Sequence, residues 1–247
     1  MKQPHILCDE TDVGSRVILP GDPGRVERIA SFLENPREVA YNREFRTVTG
    51  SYRGKTVTVT STGIGGASLV IALEELIRCG GRTFIRTGSC GACREGIRLG
   101  DLILSSGAVR EEGASRMYLP PEYPAVPHSG LLARAETLCR KEGYPVHTGI
   151  TRSHDSFYID DEAERMEFWS RRGVLASDME TATLYVLASL RGVRALSILN
   201  NVVLFRGDLR EGIGDYVQQQ GDAELGEQRE IRLALEVLVS PEGETPA

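Results

Sequence analysis

The chain has 247 residues, 40% hydrophobic and 26% charged, which suffices for one sizeable core and is short for two independent domains. It has no apolar run of about 18 residues that could span a bilayer, and its first residues, MKQPHILCDETD, bring acidic side chains where an export signal needs an apolar stretch. A cytoplasmic protein without a membrane partner is expected, and a net charge of −6 argues against a general nucleic-acid binder, which needs a basic face.

Residues 16–20 (RVILP) read as a buried strand, followed by the turn GDPG at 21–24 and a helical pattern over 25–33. Residues 47–60 alternate β-branched side chains around Arg53-Gly54, a hairpin signal, and 66–79 carry the apolar spacing of a helix. A short strand at 83–86 runs into Thr87-Gly-Ser-Cys-Gly91. Further strands are expected at 101–109, 146–151, 174–176 and 195–201, and helices at 131–141, 162–171, 180–191 and 222–239. This alternation predicts an α/β fold of three layers, a central mixed and largely parallel β-sheet flanked by helices, forming a single domain over residues 1–247. The end of the chain, PEGETPA, reads as a frayed tail from about residue 240. The five cysteines are scattered, and Cys90-Gly-Ala-Cys93 has no second pair, so they read as structural.

In such folds the ligand pocket lies at the carboxyl ends of the strands, where two glycine-rich loops occur. In PGDPGRV (20–26), Gly21 and Gly24 permit a tight turn and close backbone approach, and Arg25 at a helix start supplies a forked cation. RTGSCG (86–91) repeats the ingredients: an arginine closing a strand, then amides and hydroxyls freed by glycines. Each reads either as an oxyanion cradle or as a plain turn with a solvated arginine. Locally, Arg43 is equally compatible with a surface charge.

Together these pieces closely resemble the uridine phosphorylase and hexameric purine nucleoside phosphorylase family. The resemblance rests on His5, PGDPGRV at 20–26, AYNREF at 40–45, STGIGG at 61–66, IRTGSCG at 85–91, GD at 100–101, AVREEG at 108–113, SHDSFY at 153–158 and SDMET at 177–181, in the family's order. It implies a phosphate-dependent pentosyltransferase that cleaves the N-glycosidic bond of a nucleoside, giving free base and (deoxy)ribose 1-phosphate. It implies that Gly21, Arg25, Arg86 and Ser89 hold phosphate, with Arg43 reaching in from a neighbouring subunit. His5, also from the neighbour, is implied at the ribose 5′-hydroxyl, Met179 and Glu180 at the ribose, and Phe157 beside the base. The resemblance implies catalytic roles for Arg86 and Glu180 in displacement at C1′. No metal or organic cofactor is implied, inorganic phosphate being a co-substrate. The implied assembly is a homo-oligomer built from dimers, a hexamer in the family.

The base site departs from the family's patterns. Where purine enzymes place an aspartic acid, this chain has Val202 or Val203, an apolar pair like that of the uridine enzymes. The glutamine and arginine with which uridine enzymes read uracil correspond here to Asp161 and Ala163. Arg206 reads either as a donor to a pyrimidine carbonyl or as a solvated loop arginine, Asn200 and Asn201 either face the base or only cap a turn, and Asp178 stands where many relatives have glutamate. A uridine-type phosphorylase is therefore favoured. A purine phosphorylase, a hydrolytic nucleosidase and a non-catalytic nucleoside-binding protein are the alternatives. The nucleosidase is disfavoured because two buried arginines without an anion are costly.

Overall fold

The computed structural model describes residues 1–207 and 221–240, so the tail expected from about residue 240 lies almost wholly outside the described residues. In chain order the elements are β1 (Arg16–Pro20), α1 (Pro23–Ala30), β2 (Glu34–Asn42), β3 (Phe45–Tyr52), β4 (Lys55–Thr60), α2 (Gly66–Arg78) and β5 (Thr83–Ala92). They continue with β6 (Leu102–Glu111), α3 (Ser129–Glu142), β7 (Val146–His154), α4 (Glu162–Ser170), β8 (Ala176–Asp178), α5 (Thr181–Leu190), β9 (Arg194–Val203) and α6 (Gly221–Val239).

The strands form one mixed sheet in the order β2-β3-β4-β1-β5-β8-β7-β6-β9, and β9 pairs with β5 as well. Strands β5, β8, β7, β6 and β9 therefore close into a ring, from which β1, β4, β3 and β2 extend as an open wing. Closure depends on β5 changing partners along its length. One edge pairs parallel with β1 over Thr83–Thr87 and then antiparallel with β8 at Gly91 and Ala92, while the other runs parallel to β9 from Thr83 to Gly91, with an irregularity between Cys90 and Gly91. A register break of this kind bends a strand and lets it serve two neighbours.

The continuous apolar run of β1 reflects cover on both faces. Ile18 and Ile85 pack with α1, α3 and α6 in one core, whereas Val17, Leu19 and Phe84 pack with α2 and α5 in the other. Successive strand side chains thus supply opposite layers. Among the described residues no helix is long and apolar enough to cross a membrane.

The expected elements are all present, and β2 is an addition. Its sequence, ENPREVAYN, has no apolar alternation because the strand lies at the edge of the wing with most side chains in solvent, where Pro36 leaves no interior ladder bond unmade. Helix α1 ends at Ala30, short of the expected residue 33.

Candidate active site

The carboxyl ends of β1, β4, β5, β7, β8 and β9 converge on one cavity of about 790 Å³. The loop after β1 is shaped by Asp22, whose carboxylate caps α1 by accepting from the amides of Gly24 and Arg25. The loop after β4 lies against it: the Gly63 amide donates to the Gly21 carbonyl at 3.0 Å, and a Cβ on Gly21 would sit 3.2 Å from the Gly63 carbonyl oxygen. Arg25, Arg86, Gly21 and Ser89 all line the cavity; RTGSCG, expected as a loop after a strand ending at 86, is instead the second half of β5, and it forms one wall with the glycine-rich loop after β1.

Arg86 is 3% exposed and folds back over its own loop. A Cβ on Gly88 would lie 2.5 Å from Arg86 Nη2 and 2.7 Å from Cζ, so any side chain there displaces the guanidinium. Arg86 Nε donates to Asp178 Oδ2 at 3.1 Å and Nη2 to Glu180 Oε2 at 2.6 Å, while Nη1 is buried without a hydrogen-bond partner among the described residues. Burial opposes its charge, yet Glu180 and Asp178 outweigh burial and raise its pKa. Arg25 Nε donates to Glu227 Oε2 at 3.1 Å and Nη1 to the Thr87 carbonyl at 2.9 Å. The expectation that these buried arginines lack counter-charge is thus corrected, since each holds a carboxylate, and this removes that argument against hydrolysis.

Behind the loop stands Glu230 of α6, fully buried. Its Oε1 accepts from the Gly88 amide at 2.6 Å and its Oε2 lies 3.8 Å from Arg25 Nη1. Burial pushes its pKa up to about 8, against the attraction of Arg25. Glu180 begins α5; its Oε1 accepts from the Gly65 amide at 2.5 Å. Burial raises its pKa as well, partly offset by Arg86. Met179 and Glu180 line the same cavity, together with the arginine wall and with Phe157, Cys90, Gly91, Val202 and Val203, which make up its apolar lining. Asp178 is bound up in the frame: besides Arg86, its oxygens accept from Ser153 Oγ and Thr181 Oγ1, both at 2.6 Å. Among the described residues no cluster of three or more His, Cys, Asp and Glu side chains is placed to hold a metal ion.

Five of the expected residues lie elsewhere. His5 binds Glu75 of α2 through Nδ1 at 2.6 Å, and Arg43 sits exposed at the two-residue turn between β2 and β3 with φ +54°; neither lines this chain's own cavity. Arg206 is outside it too, paired with Glu167 at 2.5 Å and Glu95 at 3.2 Å and laid over Phe205. Asn200 and Asn201 are buried in the frame, donating to the carbonyls of Ala223 and Arg98. Sequence reading also passed over His154, Glu44, Glu227 and Glu230. The last two left a signal, carboxylates placed on the apolar stripe of α6 beside Ala223, Ile231 and Ala234.

Residues 15–201 match the family model of the phosphorylase superfamily. The chain belongs to that superfamily. Other phosphorylases resemble it over most of their length. A guanosine phosphorylase of Halorubrum lacusprofundi is 43% identical over 80% of this chain and 81% of its own. A uridine phosphorylase of Thermococcus kodakarensis is 45% identical over 78% and 74%. In the phosphorylase fold, the uridine phosphorylase of Vibrio fischeri superposes with a TM-score of 0.90 at 43% identity, covering 96% of this chain and 97% of the other. The purine nucleoside phosphorylase of Toxoplasma gondii, in complex with immucillin-H, gives 0.88 at 30% identity, covering 96% and 95%.

Proposed function

We propose that this chain is a nucleoside phosphorylase, uridine-type in its apolar base end, which transfers a pentosyl group from a nucleobase to inorganic phosphate. The observation that carries the reading is the single wall on which Arg25, Arg86 and two glycine-rich segments meet, with Arg86 Nη1 left without a partner. A phosphate oxygen satisfies such a group by a charge-assisted hydrogen bond. Glu180, tied to Arg86, accepts from the ribose hydroxyls and so fixes the sugar relative to the anion. Phosphate then attacks C1′ as the glycosidic bond lengthens, and alignment of this kind is worth roughly 7–11 kcal/mol of barrier. Inorganic phosphate is the co-substrate, and no further cofactor is needed.

Because Arg25 and Arg86 already hold carboxylates, the dianion calls for one more cation. Arg43 of a neighbouring subunit supplies it in this reading, with His5 of the same neighbour at the sugar, in a dimer-based homo-oligomer, a hexamer at full assembly. Mixing Arg43→Ala and Arg86→Ala subunits, each inactive alone, is expected to restore part of the activity; a mixture as inactive as its parts refutes the exchange. The free, buried cysteines suit a reducing cytoplasm, and no membrane or nucleic-acid partner is called for.

Release of base from uridine, thymidine, inosine and adenosine, with and without inorganic phosphate, tests the assignment. Dependence on phosphate is expected. Equal rates in its absence assign hydrolysis instead, and binding without turnover assigns a non-catalytic protein.

A further inference from the structure

The apolar end of the cavity holds one group whose chemistry has not been used. His154 is the last residue of β7 and lines the cavity with Phe157, Ser177 and the Val202–Val203 pair. Its neighbour Ser153 points to the opposite face of the strand, bound to Asp178 and the Ala182 amide, so His154 faces away from the α5 core. The imidazole is 3.0 Å from the Ser156 carbonyl oxygen through Nδ1. A carbonyl oxygen can only accept, so Nδ1 carries a proton. In the neutral ring this leaves Nε2 bare, an acceptor with no hydrogen-bond partner among the described residues.

The other polar groups at this end are committed or open to solvent. Ser177 Oγ contacts Cys93 Sγ at 3.3 Å, and Cys90 Sγ donates to the Asn200 carbonyl at 3.6 Å. Tyr158 is 82% exposed. Asp161 pairs with Arg165 at 2.9 Å, Ala163 has no polar group, and Arg206 is held outside by Glu167 and Glu95.

Resting on the phosphorylase reading, we infer that His154 is the residue that reads the base, its Nε2 accepting from a ring N–H of the substrate. The class so selected is bases with a lactam or imide N–H, 2,4-dioxopyrimidines and 6-oxopurines. Cytosine and adenine present a ring lone pair at the corresponding edge, which meets the Nε2 lone pair and leaves both unpaired. Sites built around such a hydrogen bond discriminate far more strongly than apolar pockets do.

N-methylated substrates test this, because methylation deletes the proton and leaves the leaving group attached as before. The wild-type enzyme is expected to cleave uridine at least about 100-fold faster in kcat/KM than 3-methyluridine, and inosine likewise over 1-methylinosine. In His154→Ala the ratio is expected to collapse to within about tenfold, with the KM for phosphate unchanged as a check on folding. His154→Gln, which retains an acceptor oxygen, keeps part of the preference. A wild-type enzyme that turns over uridine or inosine with phosphate, but whose ratio is the same in both variants, overturns the role of His154 alone. Absence of any phosphate-dependent turnover overturns the phosphorylase reading and this inference together.

Discussion

Glu230→Gln isolates the cost of a buried acid. In the native chain this carboxyl has a pKa of about 8, against an ordinary 4.5, because burial disfavours its anion more than Arg25 favours it. Its contribution to stability is complete below the unfolded value and is lost as pH rises toward the folded one, since the unfolded chain ionises first. Each pH unit in that window costs about 1.4 kcal/mol, so between about pH 5 and about pH 7.5 the wild type loses roughly 3 kcal/mol through this residue. Glutamine has the same shape and its Oε1 can accept from the Gly88 amide, but it has no proton to lose. Urea unfolding of both proteins at the two pH values gives the difference directly, and every other titrating group cancels in the comparison. The variant is expected to gain about 3 kcal/mol on the wild type over the interval. A difference that stays constant with pH refutes the argument and means that Glu230 ionises as easily folded as unfolded.

The other expectations rest on contacts of comparable clarity. Gly88→Ala places a methyl where the Arg86 guanidinium lies, so Arg86 must leave Asp178 and Glu180. Phosphorolysis should fall by about 100-fold or more, with a loss of about 3 kcal/mol in unfolding free energy, whereas an unaltered rate means the overlap relaxes elsewhere. Arg152 is 1% exposed and holds Glu111 at 2.5 Å and Glu162 at 2.6 Å; Arg152→Met should cost about 3 kcal/mol, and Arg152→Met with Glu162→Gln should recover part of it in the same melts. Arg206→Ala removes only surface pairs, so stability should change by about 1 kcal/mol at most and the ratio of uridine to inosine cleavage should not move; a shifted ratio would return Arg206 to the base site.

Both glycine-rich segments were legible in the sequence because their signal is local: an apolar strand, a glycine where the backbone must turn, an arginine within a few residues. Glu180 and Phe157 were legible only through the motifs SDMET and SHDSFY, since a carboxylate at a helix start and a lone aromatic have commoner uses. The partners of Arg25 were not legible. Glu227 and Glu230 are about 200 residues from it in sequence, and only the packing of α6 against β5 and β9 brings them to the cavity wall. Asn200, Asn201 and Arg206 were misplaced for a related reason, because local pattern does not say which way side chains turn once β9 is shared between β5 and β6. Strand β2 escaped notice since an edge strand in solvent needs no alternation.

A closed circuit of strands has no border from which hydrogen bonds can be unzipped, so the RTGSCG half of β5 keeps a strand on either side. Outside the circuit lie the β2–β3 turn, whose Glu44 lines the cavity, and α4, which buries none of its residues. The enclosed frame of the cavity and its more exposed rim are thereby built from different stretches of chain.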